Sequence, residues 1–229
     1  SIPVRTSTGT EMVTWTYPSP RECLACHTPA ANFVLGLRTH QLNGPHRGTG
    51  SAENQLAVFH AAGLLPATFD PASVEQLPRA VSVHDPNASL SERSRSYLDA
   101  NCAQCHRPGG ARASFDARFS TPLERQGLLG GTVSNGLGID GAAVVVPGSL
   151  ERSVLWHRIQ EIGELQMPPL GRNQVDGDAV RTLGHWIRSL PKSRFIPGFR
   201  GEYFNDTELT DLFRVRTDQR LVFSWPESA

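Results

Sequence analysis

Cys23-Leu24-Ala25-Cys26-His27 and Cys102-Ala103-Gln104-Cys105-His106 repeat one five-residue pattern and together use all four cysteines of the chain. Two thiols spaced in this way add to the vinyl groups of a haem, and the histidine on the following turn gives a ring nitrogen to the iron. The pattern predicts two haem c groups, with Cys23, Cys26, Cys102 and Cys105 as thioether donors and His27 and His106 as proximal iron ligands. A zinc site built from two C-x-x-C knuckles is disfavoured, because such knuckles lie about 15–20 residues apart, whereas most of a domain separates Cys26 from Cys102. A disulfide framework is disfavoured too: no cysteine is left over, and the chain is long enough to bury a core without covalent staples.

Each iron has a second axial position to fill. Met167-Pro168-Pro169 supplies a soft thioether on a loop stiffened by two prolines, in a chain with 2 methionines, and Met167 is the expected distal ligand of the second haem. No such loop follows His27, and Met12 precedes the motif on an extended stretch. His60 and His40 are the distal candidates for the first haem, ahead of His46 and His84, and a vacant position is the alternative. Of the 22 basic residues only Lys192 is a lysine. An arginine-rich codon usage accounts for this, although arginine also forks well onto carboxylates such as haem propionates. Arg107, directly after His106, and Arg172, beyond the methionine loop, are the best-placed candidates for that contact.

The elements that must position these residues are visible as caps and periodicities. Ser19, Pro20 and Glu22 form a capping box opening a short helix over residues 18–27. A second helix is expected from Ser51 to about Ala62, with Leu56, Phe59 and Gly63 on one face. Pro66, Pro71, Pro78 and Pro86 then interrupt any long helix and suggest a linker. Ser89 and Glu92 repeat the capping box at the head of a helix through Tyr97 and Leu98 that carries Cys102, Cys105 and His106 at its end. The glycines at 130, 131, 136, 138 and 141 lack the strand, glycine and helix order of a phosphate loop. Further helices are expected from about Leu150 to Ile162, with Val154, Leu155, Ile159 and Ile162 buried, and from Asp176 to Pro191, with Val180, Leu183, Gly184, Ile187 and Leu190 on one side.

A helix ending in C-x-x-C-H, an M-P-P loop and a last helix bearing Trp186 resemble a class I cytochrome c domain over residues 89–191. The resemblance implies a methionine sixth ligand and a crossing of the first and last helices at a glycine or aromatic contact. The longer stretch from Trp15 through "YPSPRECLACHTPAANFVLGLRTHQLN", "YLDANCAQCHRPGG", "VVVPGSLERSVLWHRI" and "MPPLGR" is similar to di-haem cytochrome modules of secreted bacterial proteins, some of them fused to quinoprotein sugar dehydrogenases. From Gly198 onward the character changes. Tyr203-Phe204, Leu212-Phe213-Arg214-Val215 and Leu221-Val222-Phe223 alternate between turn signals and resemble the opening strands of the PA14 family, a β-sandwich associated with carbohydrate binding. Too few residues match to close a sandwich or to carry over a binding residue.

The expected fold class is mainly α: a first haem domain over residues 1–65, a proline-rich linker over 66–88, a class I cytochrome c-like domain over 89–192 and an incomplete PA14-like β segment over 193–229. The expected function is electron transfer between redox partner proteins, without bond chemistry of its own, either alone or as the electron-accepting module of a dehydrogenase. One alternative is a di-haem peroxidase, if the first haem keeps an open site. Another is a subunit of an extracellular cytochrome filament that self-associates through its C-terminal strands. Zero formal charge gives no reason to expect nucleic acid, and no run of about 18 apolar residues predicts a membrane span. Covalent haem attachment is completed outside the cytoplasmic membrane, so the expected location is periplasmic or extracellular, with Ser1 as a mature or truncated start.

Overall fold

The structure is a computed structural model and describes residues 1–6, 9–46, 53–110, 115–192 and 199–218. The best-packed part is built on three helices: α4 (Leu90–Cys102), α5 (Val154–Gln160) and α6 (Gly177–Ser189). Ser89 starts α4 through the capping box read in the sequence, its backbone N–H donating to Glu92 Oε2 at 2.9 Å while Glu92 N–H donates back to Ser89 Oγ at 3.2 Å. Asp176 caps α6 by accepting from Ala179 N–H at 2.9 Å. Leu98 on α4 and Leu183, Trp186 and Ile187 on α6 are buried together with Leu155 and Ile159 from α5. A side chain at Gly184 would meet the Trp156 indole at 3.1 Å, so this glycine admits α5 against α6.

Residues 128–131 and 143–146 pair beside this core at the two ends of a segment rich in turns. Gly130 N–H donates to Val145 O and Val144 N–H to Gly131 O, both at 2.8 Å, and Val145 and Val146 are fully buried. Val145 N–H donates to Leu128 O at 3.2 Å and Val146 N–H to Ser153 Oγ at 2.9 Å, so these buried backbone groups are satisfied without a regular sheet.

The mainly α expectation is corrected: helix makes up 32% and strand 11% of the structure. Helices preceding α4 are short, namely α1 (Pro20–Cys23), α2 (Thr39–Leu42) and α3 (Gln55–Ala61). The physical reason is punctuation, since 17 prolines and 21 glycines remove donors and favour turns. The helix expected from Ser51 begins instead at Gln55, where the Asn54 side chain accepts from Leu56 N–H at 2.9 Å; residues 51 and 52 lie outside the described set. Likewise Leu150–Ser153 forms a turn ahead of α5, and Ile162 is 53% exposed, beyond the helix end.

Two small antiparallel hairpins flank the helices. β1 (Ile2–Thr6) pairs with β2 (Gly9–Val13), an element the sequence reading did not contain beyond an extended stretch around Met12. β3 (Phe199–Phe204) pairs with β4 (Leu212–Asp218), with a bulge at Tyr203 and Phe204. Their turn is held by Asp206, which accepts from Thr210 N–H at 3.0 Å. The third expected run, Leu221–Phe223, lies outside the described residues.

The proline-rich stretch is ordered by side chains from both neighbours. Asn43 donates to the carbonyls of Val74, Leu77 and Pro78 at 2.9, 3.0 and 3.2 Å. Ser96 on α4 accepts from Val81 N–H at 3.0 Å.

Candidate functional site

At the end of α4, His106 N–H donates to Cys102 O at 2.8 Å, and Cys105 N–H reaches the same carbonyl at 3.1 Å. The helix therefore closes in one tight turn that gathers Cys102, Cys105 and His106. Gly110 lets the chain fold back over that turn, because a Cβ there would collide with the carbonyl of Cys105. Cys102 and His106 face a cavity of about 550 Å³ whose walls include Phe115, Val144 and Leu155, with Met167 also on its lining. That size falls within the range of cofactor sites.

His106 is stacked on Phe115 with ring centroids 4.2 Å apart. Burial lowers its pKa, which favours the neutral imidazole that binds metals. Among the described residues its buried Nδ1 has no hydrogen-bond partner, a situation that costs about 1–3 kcal/mol unless a ligand or water compensates it. Burial pushes the Cys102 thiol up to about 12, so it rests as a thiol rather than as a thiolate ligand.

The Met167 loop is held by Gln166, a residue absent from the sequence reading. Its buried side chain accepts from Gly163 N–H at 2.9 Å and donates to the carbonyls of Pro168 and Arg172, each at 3.1 Å. Met167 N–H donates to Arg158 O at 3.0 Å, which ties the loop to α5. The guanidinium of Arg172 is engaged with the carbonyls of Ile159, Arg158 and Glu161 at the end of that helix. The arginine lining the cavity is Arg158, which the sequence reading also passed over; its place one turn after Val154 on α5 is the signal that marks it.

The first motif makes the same turn. Ser19 and Glu22 close the capping box of α1, and His27 N–H donates to Cys23 O at 3.0 Å, the counterpart of the bond at His106. His27 Nδ1 lies 2.5 Å from Phe33 O. A carbonyl can only accept, so Nδ1 carries the proton and Nε2 is left with its lone pair, the arrangement that prepares a histidine to bind a metal. The surroundings differ from those of the second motif: Cys23 and His27 are exposed, Cys26 is half-buried, and Leu24, Phe33, Val34 and Leu37 are between 55% and 79% exposed.

The distal candidates for this site are dispersed. His40 Nε2 is bonded to Asp99 Oδ2 at 2.6 Å, and its ring stacks on Phe119. His60 packs against Phe69. His46 and His84 line a second, polar cavity that also includes Arg79. His27 lines neither this cavity nor the one containing His106. Arg107 donates to Ala30 O at 2.8 Å, and desolvation, reinforced by Arg38 and Arg118, lowers its pKa.

Among the described residues no three His, Cys, Asp or Glu side chains converge as a cage for a bare ion. A porphyrin brings its own equatorial nitrogens and asks the protein only for axial ligands and thioether donors. The second site fits that demand through Cys102, His106 and Met167 around an apolar cavity, with Cys105 on the same turn as Cys102 and His106. The first offers two thiols and a prepared imidazole beside exposed apolar side chains that a bound macrocycle would cover.

Set against protein-family models, curated proteins and solved structures, the chain matches none. Its chemistry is read from its own residues.

Proposed function

We propose that this chain is a di-haem c-type cytochrome that passes electrons between redox partner proteins in a periplasmic or extracellular setting. The observation that carries the proposal is the apolar cavity shared by Cys102, His106 and Met167, residues that the sequence places in two separate motifs. Cys102 and Cys105 would hold the second haem covalently, His106 and Met167 would ligate it, and Arg158 would face its acidic edge. Cys23, Cys26 and His27 would hold the first. When bound, the haems supply reversible one-electron chemistry at iron. The protein orients them, excludes water from the second site and sets its ligand field. No described helix is long and apolar enough to cross a membrane.

The test is the mass and colour of protein produced with a haem-attachment system. Two covalently added haems support the reading, and a colourless polypeptide of unmodified mass refutes it.

A second reading is favoured by the exposure of His27 and by the engagement of His40 with Asp99. If the first iron keeps an open position, the chain is a di-haem peroxidase with the second haem as its electron store. Carbon monoxide binding to the reduced protein decides between the two: binding at one iron selects the peroxidase, and no binding selects the electron carrier.

A further inference from the structure

The two attachment motifs, 79 residues apart at Cys26 and Cys105, meet in the fold with their sulfurs 3.6 Å apart. Cys105 Sγ also lies 3.7 Å from Ala25 O, inside the first motif. Just beyond the motifs, Arg107 donates to Ala30 O at 2.8 Å, and a Cβ placed at Gly109 would sit 3.7 Å from the Ala30 side chain. These contacts join the same two loops. They place the second cysteine of one motif against the second cysteine of the other.

Resting on the reading above, we propose that the two haems form one electronically coupled pair, joined edge to edge at Cys26 and Cys105, and not two centres in separate domains. A thioether link would hold the edge of its macrocycle one carbon, two bonds, from the sulfur. Two sulfurs 3.6 Å apart would therefore hold the two macrocycle edges close together, at a separation that the tilt of each ring plane sets. Electronic overlap falls steeply with edge separation, so this close approach would set the path of transfer inside the molecule. The transfer moves one electron and breaks no bond: the ferrous iron of one site is oxidised to ferric as the ferric iron of the other is reduced. Exposed Cys23 and His27 make the first site the port to partner proteins, while the cavity behind Cys102 and His106 shelters the second.

Circular dichroism in the Soret region tests the pair on the intact two-haem protein. Coupled macrocycles are expected to give a band of two opposite signs that crosses zero near the absorbance maximum. The summed spectra of the single-haem variants Cys23→Ser/Cys26→Ser and Cys102→Ser/Cys105→Ser should not reproduce it. If either variant fails to fold, paramagnetic resonance of the unmodified protein serves instead. The fully oxidised spectrum should then differ from the sum of the signals resolved when each iron alone is oxidised. A protein that carries two haems but shows additive dichroism and additive resonance overturns the pair and leaves the cytochrome reading standing. A colourless product lighter by two hydrogens, the mass of a Cys26–Cys105 disulfide, overturns both.

Discussion

His27 and His106 sit on the same turn of the same motif, yet the protein prepares them differently. The Phe33 carbonyl sets the tautomer of His27, whereas burial lowers the pKa of His106. Met167 belongs to the second environment, and methionine ligation raises a haem potential. Met167→Ala is expected to leave both haems attached while lowering the potential of one centre, which a spectroelectrochemical titration resolves; two unchanged potentials would detach Met167 from the iron. Gln166→Ala removes four hydrogen bonds from the same loop and is expected to cost about 1–3 kcal/mol in urea unfolding, with part of the methionine ligation lost. Gln166→Glu keeps an acceptor for Gly163 but cannot donate to the Pro168 and Arg172 carbonyls. It should therefore fail to rescue the ligation signal.

Among the elements, α4 carries the most consequence, because it both packs on α6 and delivers the second motif. Its cap is a local device, and Ser89→Ala is expected to cost ~1 kcal/mol. The Ser89 hydroxyl and backbone N–H hold the Glu92 carboxyl below the ordinary value of 4.5. A carboxyl depressed in the folded state contributes stability above its unfolded pKa and loses it as the pH falls through the folded one. Thermal unfolding followed from about pH 6 to about pH 3 should show this acid-dependent loss in the parent and less of it in Ser89→Ala. At the other end of the helix, Gly110→Ala drives a methyl group into the Cys105 carbonyl. Its expected outcome is a product of one-haem mass, since a distorted turn no longer presents the two thiols together.

Across the whole molecule, core material is unevenly shared. Among the described residues before α4, Ala31 and Leu56 are the buried apolar side chains, too few to hold a domain of that length together unaided. What holds this part is docking. Asp99, buried on α4, accepts from Arg38 at 3.3 Å, from His40 at 2.6 Å and from Phe119 N–H at 2.9 Å. Asn173 accepts from Thr16 N–H at 3.1 Å. Asp99→Ala strands an arginine, a histidine and the half-buried Phe119 amide, at an expected cost of about 1.5–3 kcal/mol. Limited proteolysis should then release the segment preceding residue 66 earlier than in the parent; equal cleavage rates would show that the segment stands without Asp99.

Local chemistry was determined by the amino-acid order alone. The two C-x-x-C-H turns, the capping boxes at Ser19 and Ser89 and the start of α6 at Asp176 depend on residues within a few positions of one another, so spacing is enough to read them. The extent of α3 and α5, and with it the balance between helix and irregular chain, was not legible, because glycines and prolines permit several paths and tertiary packing chooses among them. Gln166, Arg158 and Asp99 carry no motif, and their roles exist only once distant carbonyls, cavity walls and charges have been brought to them. The meeting of Cys26 with Cys105 is of the same kind: it joins residues far apart in the chain, and only the burial of α4 against its neighbours and the docking of the first motif onto its end decide it.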